Sequence, residues 1–246
     1  MIDYHCHLDL YPNPLKLLDE VRSRRMDILA VTTSPRAYMK TSQYFAAAEK
    51  VRVALGFHPE LVAQRTGEWE MFFHAVKDCK YLGEIGIDGS QQYSALLDAQ
   101  TSFFEQALIE SEKHNGRIIS IHSRNAAKRV LSVIERTVGL NKPVLHWFTG
   151  SNKELEWALE LGCWFSINPK MCISKIGRET IRRIPLSKIL PETDGPFVVI
   201  RGKICLPWNN EVPKFLAEQK KLNLSCVLKV FDENLKRLEI HIKEGA

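Results

Sequence analysis

Apolar residues recur along the chain in two alternating patterns. In one they form short continuous runs; in the other they return every three or four residues over longer stretches. The runs are Met1–His5, Asp27–Thr33, Val51–Phe57, Tyr81–Ile87, Arg117–His122, Pro143–Phe148, Cys163–Ile167 and Lys188–Asp194. Their length and continuous apolarity predict eight buried strands. Amphipathic stretches lie between them, among them Leu15–Arg25, Leu96–His114, Ala126–Val138 and Lys153–Leu161, and these predict helices. In the first, Leu15, Leu18, Val21 and Arg22 share one face at the helical period.

Strand-then-helix units repeated in this way imply a parallel sheet, because each crossover helix returns the chain to the same strand direction. Eight such units can close into a (β/α)8 TIM barrel, which leaves no open edge. An open, doubly wound sheet is the alternative, and the lack of a Gly-rich dinucleotide turn after any run speaks against it. Glu211–Leu222 and Ser225–Ile240 predict two further helices packed outside. At 246 residues the chain matches the about 250 that one barrel takes, so a single domain over 1–246 is expected.

Composition narrows the picture only slightly. A chain that is 45% hydrophobic and 26% charged is an ordinary soluble globular one, and its net charge of +5 tilts mildly toward a polyanionic partner. No apolar run approaches the roughly 20 residues of a bilayer span. The start, Met1-Ile2-Asp3-Tyr4-His5, has neither a basic nor an apolar leader region, so no secretory signal and no membrane association are expected. The cysteines, Cys6, Cys79, Cys163, Cys172, Cys205 and Cys226, lie far apart without a C-x-x-C pair. That spacing predicts reduced, mostly buried thiols in a cytoplasmic protein.

The chemistry lies in polar residues at the ends of the runs. His5 and His7 close the first, Glu84 lies in the fourth, His122 ends the fifth, His146 lies in the sixth and Asp194 ends the eighth, while His58 follows the third. In a barrel, the carboxyl ends of the strands converge on one mouth. Asp3, His5 and His7 are two apart and so share a strand face, with Tyr4 and Cys6 turned toward the helices. A carboxylate inside an apolar strand costs several kcal/mol unless paired or metal-bound, so Glu84 needs either a barrel-lining cation or metal ions. Glycines at 83 and 86 leave room beside it for a bridging role. His122 and His146 taken singly read as hydrogen-bonded core histidines, and Asp194, before Gly195-Pro196, as a turn cap. Together, four imidazoles and two carboxylates form a donor set for Zn²⁺, Mn²⁺ or Mg²⁺ rather than a thiolate site. They suffice for two divalent ions sharing Glu84, with Asp194 also orienting an attacking water. Two ions roughly 3.5–4 Å apart polarise a phosphoryl oxygen and acidify a shared water, which points to metal-assisted hydrolysis.

Six ordered blocks then resemble the TatD family of metal-dependent deoxyribonucleases. They are Met1–Asp9 (MIDYHCHLD), Gly56-Phe57-His58-Pro59, Gly83–Asp88 (GEIGID), His122-Ser123-Arg124, His146–Gly150 (HWFTG) and Glu192–Pro196 (ETDGP). Asn234–Leu238 also resembles that family's C-terminal Asn-containing helix. The resemblance implies a DNA substrate and assigns His5, His7, Glu84 and Asp194 to one ion and Glu84, His122 and His146 to a second. It places His58 as a non-ligand near the scissile phosphate, giving a proton or a hydrogen bond, and Arg124 as a phosphate contact whose bland alternative is a surface ion pair. Within the family, His5–Pro12, Ala30–Pro35 and Gly162–Ser166 are most similar to the QatD group, TatD-like nucleases of the bacterial Qat anti-phage system. That similarity implies other Qat-system proteins as partners.

Two segments depart from the family pattern. Gly89-Ser90-Gln91-Gln92 intervene before Tyr93, where an aromatic pair is usual, and Phe197–Trp208 is unusually apolar while carrying Arg201 and Lys203. Both bear on substrate preference and leave the ligand set intact. Arg124, Trp147, Phe148, Lys170, Lys175, Phe197, Arg201 and Trp208 are expected near the mouth, where aromatic faces stack on bases and cations follow phosphates. For Trp147 and Phe148 the competing expectation is packing beneath the mouth. Arg22, Arg24, Arg25, Lys220 and Lys221 read as solvated helix faces. Two other functions stay open: a metal-dependent amidohydrolase acting on a small cyclic amide, which often bridges its ions with a modified lysine where Glu84 stands here, and a non-catalytic, nucleic-acid-binding subunit of a defence assembly.

Overall fold

The structure is a computed structural model, and it describes residues 1–137 and 139–240. Val138, at the end of the predicted Ala126–Val138 helix, and the last six residues, His241 among them, lie outside the described residues.

The apolar runs form strands β1 (Ile2–Cys6), β2 (Asp27–Val31), β3 (Val51–Ala54), β4 (Tyr81–Gly86), β5 (Ile118–His122), β6 (Lys142–His146), β7 (Trp164–Ile167) and β8 (Ile189–Pro191). All neighbouring pairs within β1-β2-β3 and within β4-β5-β6-β7-β8 are parallel. Main-chain hydrogen bonds join the two arcs into a ring. Between β3 and β4, the Leu55 N–H donates to the Tyr81 carbonyl at 3.0 Å and the Leu55 carbonyl accepts from the Gly83 N–H at 2.9 Å. Between β8 and β1, the Asp194 N–H donates to the His5 carbonyl at 2.9 Å and the His7 N–H to the Gly195 carbonyl at 2.8 Å. This second seam is made by residues of the donor set themselves, so closing the barrel and assembling the site are one event.

The predicted helices form close to their expected bounds, at Pro14–Ser23, Leu97–Lys113, Ala127–Arg136, Asn152–Glu160, Glu211–Lys220 and Leu224–Glu239. The buried face of the first differs from expectation: Leu17, Leu18 and Val21 are buried, whereas Leu15 and Arg22 are exposed. Pro14 opens that helix, and its inward stripe begins three residues later. Tyr4 and Cys6 point outward into apolar clusters, as strand alternation requires. No described helix is long and apolar enough to cross a membrane. Five of the six cysteines are buried and Cys226 is exposed, all as free thiols.

The last strand is shorter than its apolar run. It stops at Pro191, which has no N–H for the ladder. Asp194 therefore sits in the loop beyond β8, at φ +50°, and is aimed by the loop instead of by strand alternation. Asp3 supplies the aim: its buried carboxylate accepts hydrogen bonds from the Thr193 N–H at 2.9 Å and from the Thr193 hydroxyl.

Candidate metal centre

All six predicted donors meet at the carboxyl ends of the strands. His5 Nε2 lies 3.5 Å from Glu84 Oε2 and 3.5 Å from Asp194 Oδ1, and His7 Nε2 lies 3.3 and 3.7 Å from the same two oxygens. Donors this close, at 3.3–3.7 Å, would be within reach of one small divalent ion with bonds of about 2.0–2.1 Å. His5 Nε2 is buried with no hydrogen-bond partner among the described residues, a cost that a bound cation would relieve. On the other side, Glu84 Oε1 faces His122 Nδ1 at 2.6 Å, His146 Nε2 at 3.5 Å and His58 Nε2 at 3.6 Å. The donor set thus fits divalent cations. No Arg or Lys is paired with Glu84 among the described residues, so the surroundings of this carboxylate are imidazoles and not the barrel-lining cation that was the alternative.

Three of the four donor histidines are held from behind, while the Nδ1 of His7 is buried with no hydrogen-bond partner among the described residues. The far nitrogen of His5, Nδ1, meets the Ser120 hydroxyl at 2.8 Å; that of His122, Nε2, meets Asp88 Oδ2 at 2.9 Å; that of His146, Nδ1, meets Glu192 at 3.1 Å. Asn168 donates to Glu192 at 3.0 Å and the Ser90 N–H to Asp88 at 2.8 Å, fixing both carboxylates. Each partner can take the ring's N–H, which leaves the other nitrogen's lone pair on the donor cluster. Ser120, Asn168 and the supporting roles of Asp88 and Glu192 were not part of the sequence reading. The only signal for the two acids was their place inside the GEIGID and ETDGP blocks.

Electrostatics follow this arrangement. Burial alone would raise Glu84, but His58, His122 and His5 hold it well below the usual carboxylate range. Burial opposes charge on His122 and His146, yet the Asp88 and Glu84 carboxylates keep the first up at about 9, and Glu192 with Glu84 keeps the second up at about 10. His5, buried and stacked 3.8 Å from the His146 ring, is pushed down to about 4. Burial lifts Asp194 to about 7 against the pull of His146 and His7.

The glycines beside Glu84 have a different reason from the expected one. They let strands touch. A Cβ on Gly86 would lie 2.1 Å from the His122 carbonyl oxygen, and its φ is +145°; a Cβ on Gly83 would meet the Ser120 side chain at 2.9 Å. Gly86→Ala would force β4 off β5, the two strands that carry Glu84 and His122. Overpacking of this kind costs about 1–3 kcal/mol. Thermal unfolding of that variant is expected several degrees below wild type, together with a reduced metal content.

His58 opens a short helical turn, and its Nδ1 accepts from the Glu60 N–H at 3.3 Å, so its proton sits on Nε2, toward Glu84. A pocket of about 680 Å³ covers the cluster and is lined by His58, Arg124, Trp147 and Phe197 besides His7, Glu84, His122, His146 and Asp194. Phe197 also stands edge-on to His7, at 4.9 Å between ring centroids. Phe148 is buried against Phe165 beneath the mouth. Lys170, Lys175, Arg201 and Trp208 do not line the pocket. Trp208 lies instead under the Arg24 guanidinium, 4.3 Å from the ring centroid, and Arg24 itself stays exposed as expected. Of the histidines outside the site, His74 is exposed and His114 half-buried beside Glu110.

A closed parallel barrel with buried imidazoles and carboxylates gathered at its mouth defines a metal-dependent hydrolase of the TIM-barrel class. The chain belongs to the TatD related DNase family, whose sequence pattern matches residues 2–239. The 3'-5' ssDNA/RNA exonuclease TatD of Escherichia fergusonii is 28% identical over 210 residues, covering 80% of this chain and 73% of that protein. The deoxyribonuclease TATDN3 of Homo sapiens is 23% identical over 263 residues, covering 97% and 94%. The crystal structure of YJJV, a TatD homolog from Escherichia coli, superposes with a TM-score of 0.77 at 22% identity over 97% of each chain. An amidohydrolase structure from Saccharomyces cerevisiae gives 0.82 at 16% identity, covering 96% of this chain and 99% of that one. Both structures share the fold.

Because His122 would bind an ion through Nδ1 while Asp88 holds its other nitrogen, Asp88→Asn is expected to weaken metal binding. Loss of such an outer partner typically costs 10–100-fold in affinity or activity. Isothermal titration with Zn²⁺ or Mn²⁺ measures this directly.

Proposed function

We propose that this chain is a two-metal phosphodiesterase that hydrolyses DNA. The observation that carries the proposal is the position of Glu84, whose two oxygens face different imidazoles, with Oε2 toward His5 and His7 and Oε1 toward His122, His146 and His58. His5, His7, Glu84 and Asp194 would hold one divalent ion, and Glu84, His122 and His146 the second, Zn²⁺, Mn²⁺ or Mg²⁺ being compatible with these ligands. The ions would supply Lewis acidity at a phosphoryl oxygen and lower the pKa of a shared water.

The protein's own groups do the rest. Asp194, held over the mouth through Thr193 and Asp3, orients the water and takes its proton. His58 presents its Nε2–H to the substrate. With Nδ1 engaged by the Glu60 N–H, the ring's Nε2–H is the group that can donate to a phosphate or leaving oxygen. Arg124, exposed at the lip, meets a phosphate, and Trp147 offers a face to an unpaired base.

The sequence likeness to the QatD group supports a role in anti-phage defence in the cytoplasm, with other Qat-system proteins as partners. The biochemical test combines metal analysis by mass spectrometry with digestion of end-labelled single- and double-stranded DNA, run beside a panel of lactams. Two ions per chain with nucleotide release support the proposal; lactam turnover without DNA cleavage refutes it. For the biological role, Asp194→Asn is expected to abolish protection from phage. Equal protection by that variant and wild type would instead indicate a non-catalytic, nucleic-acid-binding subunit.

A further inference from the structure

A second groove opens beside the metal pocket, and no step above uses it. It has a volume of about 720 Å³ and runs between the helices Leu97–Lys113 and Ala127–Arg136. The two cavities share Ser123, Asn125 and Thr149 as lining residues, so they meet along this line.

Two independent features stand at the junction. The helix Ala127–Arg136 begins there without a side-chain cap, because its N-cap position is Ala126. The N–H groups of its first turn have no intrahelical acceptors, and the helix dipole adds positive potential at that end. Separately, Ser123 is only 3% exposed, and its hydroxyl has no hydrogen-bond partner among the described residues. An unpartnered buried hydroxyl beside an uncapped helix start is a donor set that an anionic oxygen satisfies. Beyond it the groove presents three cationic side chains, of which Lys128 has no ion-pair partner among the described residues. Lys128, Arg129 and Arg136 line it, and the acidic residue there, Glu154, is engaged with the Ser151 N–H at 2.6 Å. Arg129 and Arg136 pair with Asp98 and Glu105 at 3.1 Å each, across exposed geometry in which ion pairs are weak.

We infer that the junction of Ser123 with the N-terminus of helix Ala127–Arg136 is a phosphate subsite for the nucleotide adjoining the scissile bond, and that the strand continues into the groove along Lys128 and Arg136. The inference rests on the nuclease reading for its substrate and extends it: the enzyme grips a single strand on one side of the cut. A substrate reduced to one phosphodiester fills the metal pocket alone and gains nothing from the groove.

The test measures binding and turnover separately. A fluorescein-labelled oligo-dT of ten nucleotides is titrated in chelator, so that no cleavage occurs, and its anisotropy followed. Lys128→Glu combined with Arg136→Glu is expected to weaken binding at least tenfold. The slope of log affinity against log salt should fall by about 1.4, since each phosphate contact on a single strand contributes about 0.7. Ser123→Val should weaken binding with the salt slope kept, because it removes a neutral donor. Unchanged affinity in the double variant overturns the subsite. In turnover, the ratio of kcat/KM on the oligonucleotide to kcat/KM on bis-p-nitrophenyl phosphate should drop at least tenfold in the double variant. An equal loss on both substrates means damage to the fold or metal site and also overturns it. If metal-loaded wild type cleaves neither substrate, the nuclease reading fails, while the anisotropy result still decides the subsite.

Discussion

Glu84→Gln is expected to lower DNA turnover by roughly 10³–10⁴-fold while leaving the barrel folded. The size follows from the Lewis-acid contribution of bound metals, several kcal/mol, at about 1.4 kcal/mol per decade of rate. Glutamine keeps the shape and removes the charge that both proposed ions would share. Removing one partner of a buried ion pair usually leaves an uncompensated charge. Here the partners can respond. His122 and His146 are held protonated by their carboxylates, and either can release a proton when Glu84 is neutralised. The far-side bonds to Asp88 and Glu192 persist, so the rings stay in place. Circular dichroism should therefore match wild type while metal content falls below two per chain. Wild-type turnover by the variant, under controlled metal, would overturn the shared-carboxylate scheme.

Metal loading is expected to depend steeply on pH, and differently for the two ligand groups. In chelator-treated protein His122 and His146 titrate at about 9 and about 10, so both carry protons at neutral pH that an ion must displace. Each displaced proton changes apparent affinity about tenfold per pH unit. Between pH 6 and 8 the affinity for an ion that Glu84, His122 and His146 would hold should thus gain roughly 10⁴-fold. An ion that His5 and His7 would hold should change less, because burial already keeps His5 neutral down to about 4. Asp194, lifted to about 7, adds one proton to that ion's competition only below neutrality. Mass spectrometry of protein desalted at each pH should find close to one ion per chain at pH 6 and two at pH 8. Equal loading at both would contradict the assignment. The same shifts set the stability of chelator-treated protein. A histidine whose folded pKa is raised contributes stability fully present below about 6.5 and lost as pH rises through the folded value. The chelator-treated Tm should accordingly fall between pH 7 and pH 10, and metal should restore it most strongly at the alkaline end.

Much of this molecule was legible along the chain. His5 and His7 were identified as a pair because strand alternation puts residues two apart on one face. Glu84 stood out because a carboxylate in an apolar run demands a partner. The eight runs implied a barrel because crossover helices enforce parallel strands. What escaped was lateral. Ser120 supports His5 across 115 positions, Glu192 supports His146 across 46 and Asp88 supports His122 across 34. No periodicity along one strand encodes such neighbours. The glycines around Glu84 were expected to leave room for metal and in fact permit β4 to press on β5. Trp208 was expected at the mouth and lies instead beneath Arg24, because a loop's direction is set by what it packs on and not by its composition.

The sequence by itself determined the fold class and pointed to the candidate donor residues, since both follow from local pattern: continuous apolarity, strand alternation, and polar residues placed where apolar ones belong. Only the tertiary structure decided which nitrogen of each histidine faces the cluster, how Asp194 is aimed and which cavity adjoins the site. Those features depend on the closing of β8 onto β1, where the Asp194 N–H meets the His5 carbonyl. Two segments nearly the whole chain apart must be brought within a hydrogen bond's length before the ring exists, and no stretch of sequence carries that distance.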